Sequence, residues 1–134
     1  MIPKFRAYDS GSLCRMYQPD EVMVGDGNIW IIDEDGVAGE WIVNNDLNLM
    51  QSTGLFDKNG KEVFEGDILE VTDKHSWLEV VSYSQEKAMF VTEEINREFK
   101  VPESPLYDLS DSTFLKFEVI GNVYENPELL EVEG

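Results

Sequence analysis

Residues 50–71 read MQSTGLFDKNGKEVFEGDILEV, and this stretch decides the fold. Asp57-Lys58-Asn59-Gly60 separates two runs that can form strands. Asp and Asn side chains bond to their own backbone in turns, and Gly takes the left-handed conformation without steric cost. A type I turn closed by Gly60 in a bulge is therefore the predicted hairpin loop. The incoming arm spans 49–56, where Gly54 predicts a kink or a close backbone approach. The outgoing arm, 61–64, is short. Glu65-Gly66-Asp67 forms a second turn, with the Asp67 side chain expected to cap it. A new strand follows over 68–72, with Ile68 and Glu70 on one face and Leu69 and Val71 on the other. A bent strand, a Gly-Asp corner and an apolar strand are what a small barrel needs to turn.

Outward from this stretch, strand and turn signals recur about every ten residues, the mark of an all-β chain. Before it, 2–8 reads as a strand, 9–12 as a turn and 13–17 as the returning strand carrying Cys14. Residues 21–27 form a connection, and β-branched, aromatic 28–32 is a strand. Asp33-Glu34-Asp35-Gly36 is a turn, and 40–43 returns. Trp30 and Trp41 are expected to pair across that hairpin or face the core. Exposed, they would be binding anchors, but buried core is the preferred reading. Residues 44–48 form a polar loop or a short helical turn.

After the central stretch, 77–83 and 88–92 form a hairpin turned at 84–87. Within 93–103 a short helix or an extended strand over the barrel fits Ile95, Phe99 and Val101. Pro102 and Pro105 stop regular structure, and 106–112 reads as a mobile acidic loop. A strong strand is expected over 113–120. Gly121-Asn122 turns the chain, Asn126-Pro127 starts a last turn, and 131–134 frays.

Three runs carry a family resemblance. TGLFDKNGKEVFEGDILEV in the centre, Phe117 to Leu130 (FEVIGNVYENPELL) and the opening Lys4-Phe5-Arg6-Ala7-Tyr8-Asp9 resemble the YopX family of phage and prophage proteins. The resemblance implies a mostly β, phage-derived protein with an SH3-like barrel in its C-terminal part. Its structural signature here is Thr53, Gly54, Asp57, Gly60, Gly66, Asp67, Gly121, Asn122, Tyr124, Asn126 and Pro127. The family has no established activity, so the resemblance assigns no functional residue. The expected fold is thus mainly β, with an N-terminal β-hairpin region over 1–46 packed on an SH3-like barrel over 47–134, or on a second subunit.

Charge narrows the function. The chain of 134 residues holds 28 Asp and Glu against 10 Lys and Arg, a net charge of −18. From Met16 through Asp57 there are nine acidic residues, Asp57 included, and no Lys or Arg. Such a surface repels phosphate backbones and anionic membranes, and attracts basic proteins or divalent cations. Direct nucleic-acid binding is not expected unless Lys58, Lys61 and Lys74 converge. No apolar run is long enough to cross a membrane, the start lacks a signal-peptide pattern, and a single Cys14 fits a reducing compartment. A cytoplasmic location is the expectation.

No catalytic constellation is present. His75, the lone histidine, sits in a turn beside Asp73, and Cys14 has no His near it in sequence to act as its base. The 33–36 turn fails as a calcium loop: Val37 and Asn44 stand where ligands belong. No metal or cofactor is expected. The expected function is a non-catalytic acidic interaction module whose partner is a basic host or phage protein, or a second copy of itself. The alternatives are a DNA mimic, presenting carboxylates in place of phosphates to a DNA-binding protein, and a metal-dependent hydrolase using Asp57, Glu65 and Asp67.

Overall fold

The computed structural model describes residues 3–11, 13–32, 40–95 and 102–131. It is mainly β, with 54% strand against 11% helix. The chain divides into two compact units, Met1–Ser52 and Thr53–Gly134. The expected 33–36 turn, Phe99 and Val101 and the terminal 132–134 lie outside the described residues.

In the first unit, β1 (Phe5–Asp9) and β2 (Arg15–Tyr17) form an antiparallel hairpin, with Ala7 opposite Tyr17. Strand β2 is shorter than expected. Cys14 precedes it with φ 47°, and the residue is exposed instead of lying in the strand. After a 3-10 turn at Pro19–Glu21 come β3 (Val22–Gly25), β4 (Asn28–Ile32) and β5 (Trp41–Val43), a meander in the order β3-β4-β5. Strand β3 replaces the expected connection over 21–27. Its turn to β4 is Asp26-Gly27, both at positive φ, the mirror-image turn whose twist matches paired strands. The core of this unit gathers Ala7, Tyr17, Val22, Ile31 and Leu47, with Phe5, Ile29 and Leu49 against it.

Strand β6 (Asn48–Phe56) carries the chain from one unit into the next. Its first residues pair with β1, Met50 opposite Arg6. It also pairs with β7 (Glu62–Phe64), and its Gly54 has φ 78°.

The second unit contains a five-stranded sheet in the order β11-β10-β9-β8-β12. Its members are β8 (Asp67–Thr72), β9 (Ser76–Ser84), β10 (Met89–Glu94), the two-residue β11 (Ser104–Pro105) and β12 (Lys116–Asn122). Strand β8, between β9 and β12, places Val71 opposite both Phe117 and Trp77. Alternation therefore collects Leu69, Val71, Val81, Phe117 and Val119 on one buried face. Full burial of each such aliphatic side chain stabilises by about 1.5–3 kcal/mol.

Residues 106–112 are not a mobile loop. Leu106–Asp111 form a short helix, α1, whose Leu106 and Leu109 are buried in this same core. The i, i+3 spacing places both leucines on one side of the helix. The Ser112 hydroxyl then accepts the amides of Phe114 and Leu115, turning the chain toward β12. The last strand begins at Lys116, three residues later than expected, and Phe114 is 83% exposed. Gly121-Asn122 remains within β12, whose register shifts at a bulge between Val119 and Gly121.

One buried group in this core lacks a partner. Thr92 is 1% exposed, and its hydroxyl has no hydrogen-bond partner among the described residues. An unsatisfied buried hydroxyl costs about 1–3 kcal/mol. Thr92→Val removes that cost at nearly constant shape. We expect it to raise stability by about 1 kcal/mol, read as a higher urea midpoint at unchanged slope.

Candidate functional site

The Asp57 turn is built as its sequence demands. The Gly60 amide donates to the Asp57 carbonyl at 3.0 Å, and the Asp57 amide to the Lys61 carbonyl at 2.9 Å. Gly60 sits at φ 81°, where a side chain would be strained. The Asp57 carboxylate does more than close the turn. Its Oδ1 accepts the amides of Asn59 (2.9 Å) and Lys61 (2.8 Å), while Oδ2 accepts the amide of Val119 on β12 (2.9 Å). Burial pushes this carboxyl up, but the amides of Val119, Lys61 and Asn59 outweigh that, the Lys61 charge adds to them, and the group lies below its ordinary value. Around it the Lys58 amide donates to the Phe117 carbonyl, the Asn59 amide group bonds Glu118 Oε1 at 3.0 Å, and Lys58 Nζ lies 3.7 Å from Glu118. Residues 62 positions apart are latched by one carboxylate.

The other signature residues also hold backbone. The Thr53 hydroxyl donates to the Val63 carbonyl at 2.8 Å and accepts the Leu55 amide, spanning Gly54. Asp67 is 1% exposed, and its Oδ2 accepts the Phe64 amide at 2.8 Å across the corner. Gly66, at φ 83°, donates to the Val81 carbonyl and accepts the Val123 amide. Near the end of the chain, Asn122 Oδ1 accepts the amides of Tyr124 and Glu125, and Asn126 Oδ1 accepts the Asn122 amide. The Asn126 side chain lies where a Cβ on Gly121 would be, at 2.5 Å, so only glycine fits. Pro127 opens a 3-10 turn over Pro127–Leu130. The signature residues thus form backbone clamps in the second unit.

That arrangement bears on the hydrolase alternative. Asp57 and Asp67 are engaged with main-chain amides, and among the described residues no three His, Cys, Asp or Glu side chains come together to hold a metal. His75 is exposed in the turn before β9. Two shallow clefts, open to solvent, flank α1. One is lined by Phe56, Lys58, Ser110, Ser112, Leu115 and Lys116 among others, the other by Leu55, Tyr107, Ser110 and Asp111.

The surface with most to offer a partner lies in the first unit. Met23 is opposite Trp30, Trp30 opposite Val43, and Ile32 opposite Trp41. Directly opposed residues share a sheet face, so these five form one apolar row. Val22 and Ile31, on the other face, are buried in the core. The row is exposed at Met23 (48%), Trp41 (36%) and Val43 (44%). Trp30 is half-buried and donates its indole N–H to the Gly25 carbonyl. The preferred buried reading of the tryptophans therefore fails for Trp41. It stands on an edge strand with no further strand over its outer face among the described residues. Met23 was missed because β3 was missed, although Asp26-Gly27 signals that hairpin.

Exposed acids accompany this surface at Asp20, Asp26, Glu40 and Asp46. The nearest preceding cation, Arg15, stacks on Tyr17 with its guanidinium 4.5 Å from the ring centroid, and binds the Glu21 carboxylate. Among the described residues, no helix is long and apolar enough to cross a membrane.

These features define a class, a mainly β protein of two compact units whose second unit is held by turn-to-strand clamps. The sequence pattern of the family described as "YopX protein" matches residues 4–131, nearly the whole chain, and the protein belongs to that family. A solved structure, described as the crystal structure of protein EF1440 from Enterococcus faecalis, is similar throughout. It is 31% identical, with 98% of this chain and 99% of that one covered, at a TM-score of 0.66. No curated protein matches.

Proposed function

We propose that this protein is a non-catalytic, acidic protein-interaction module of phage or prophage type, acting in the cytoplasm on a basic host or phage protein. The observation that carries the reading is the coincidence of an exposed apolar row (Met23, Trp41, Val43) with a segment that has nine acidic residues and no Lys or Arg. Exposed tryptophan in an apolar patch is the usual energetic centre of an interface. Surrounding carboxylates select a cationic partner and speed its approach. The single exposed Cys14 accords with a reducing compartment. We read the five-stranded sheet of the second unit, with its Gly66 corner and Asp57 latch, as an SH3-like barrel that serves as scaffold.

The test is affinity capture with the tagged full chain in its own host cells, after light scattering has set its mass. A basic protein retained at low salt and released as the screening length falls from about 10 Å to about 3 Å is the expected result. Competition of that capture by DNA turns the reading into DNA mimicry. A stable homo-oligomer that captures nothing overturns it in favour of self-assembly.

A further inference from the structure

We propose that the outer edge of β5 is the docking site, and that its occupant is an extended, lysine- or arginine-rich segment that adds itself to the β3-β4-β5 sheet as a further strand. The inference rests on the interaction-module reading and gives it a location and a mode. Among the described residues, strand β5 is the last in its sheet. The Asn44 amide donates to the Ile29 carbonyl at 2.9 Å, which fixes the ladder. In antiparallel pairing, bonded and non-bonded pairs alternate. Ile42, opposite Ile31, faces β4 with both backbone groups, whereas Trp41 and Val43 direct their N–H and C=O away from the sheet. Two donors and two acceptors on an exposed edge are a template for an incoming strand.

Charge decides which strand. Every residue of β5 is exposed, and Glu40 and Asp46 flank it. Two copies meeting edge to edge would bring together two segments that each carry nine acids and no base, and like charges across a strand pair are destabilising. A segment alternating basic and apolar residues answers both features. Its apolar side chains extend the row of Trp41 and Val43, and its cations meet the flanking carboxylates.

The probe is a fluorescent peptide of about ten residues alternating Lys and Val, titrated into the full chain by anisotropy. Its counterpart alternates Glu and Val. The Lys/Val peptide is expected to bind and to weaken with salt, and the Glu/Val peptide not to bind. Val43→Pro removes one outward N–H and no ladder bond, a position where proline is tolerated. It is expected to weaken the Lys/Val peptide by about tenfold or more while circular dichroism stays unchanged. Should Val43→Pro unfold the sheet, the double variant Glu40→Lys, Asp46→Lys serves instead and exchanges the preference between the two peptides. Equal binding of both peptides, or Lys/Val binding indifferent to these variants, overturns the docking site. In the second case an acidic module that binds elsewhere survives. No basic-peptide binding together with a salt-resistant oligomer removes both the site and the reading beneath it.

Discussion

Asp57→Ala lowers stability by about 3–4 kcal/mol, the largest effect expected of any single polar substitution in this chain. The carboxylate accepts three backbone amides, one of them on β12. Hydrogen bonds to a charged acceptor contribute about 1.5–3 kcal/mol each, and amides left unpaired in a buried site add a further cost. The three share one side chain, so their contributions do not simply sum. In a unit of this size the loss corresponds to a fall of about 10 °C or more in Tm. The pH dependence follows from the direction of the shift. The folded carboxyl lies below its ordinary value, so its contribution is complete above the unfolded pKa of about 3.9. It is lost as pH falls through the lower folded value, because the unfolded chain takes up the proton first. The gap between wild type and Asp57→Ala should therefore be widest near neutrality and close below about pH 4. Chemical denaturation at several pH values reads this directly. A gap that widens on acidification would mean that the carboxylate does not hold β12.

Leu106→Ala costs about 3 kcal/mol, within the range for a buried leucine that leaves a cavity. Leu106 is 1% exposed in the core of the second unit, while Tyr107, next in the chain, is 56% exposed. Tyr107→Ala should change stability by no more than about 0.5 kcal/mol. Urea unfolding of the two variants separates a helix that completes the core from a surface loop. Equal, small effects would show that α1 is peripheral.

Most of the second unit is legible in the sequence because its instructions are local. Asp57-Lys58-Asn59-Gly60 and Glu65-Gly66-Asp67 specify turns by side-chain chemistry that acts within four residues, and alternation in 68–72 specifies which face is buried. That Asp57 also reaches Val119 is a long-range consequence, visible only once β12 is in place. Helix α1 was hidden because Leu106 and Leu109 are a weak signal among polar neighbours; burial, and not propensity, makes that segment helical. Strand β3 is a different case. Asp26-Gly27 between Val22-Met23-Val24 and Asn28-Ile29-Trp30 is a strong hairpin signal, and a connection was the wrong reading of it. The exposure of Trp41 was beyond sequence reasoning, since an apolar edge strand and an apolar central strand have the same composition. The clamp residues belong to the second unit, whereas the proposed interaction surface belongs to the first.

One measurement bears on the central claim most directly. Amide resonances of the full chain would be followed by NMR while the Lys/Val peptide is added at low salt and then at high salt. The account predicts shifts centred on the Trp41 and Val43 amides that fade as salt rises. Shifts confined to the clefts beside α1, or none at all, would contradict it.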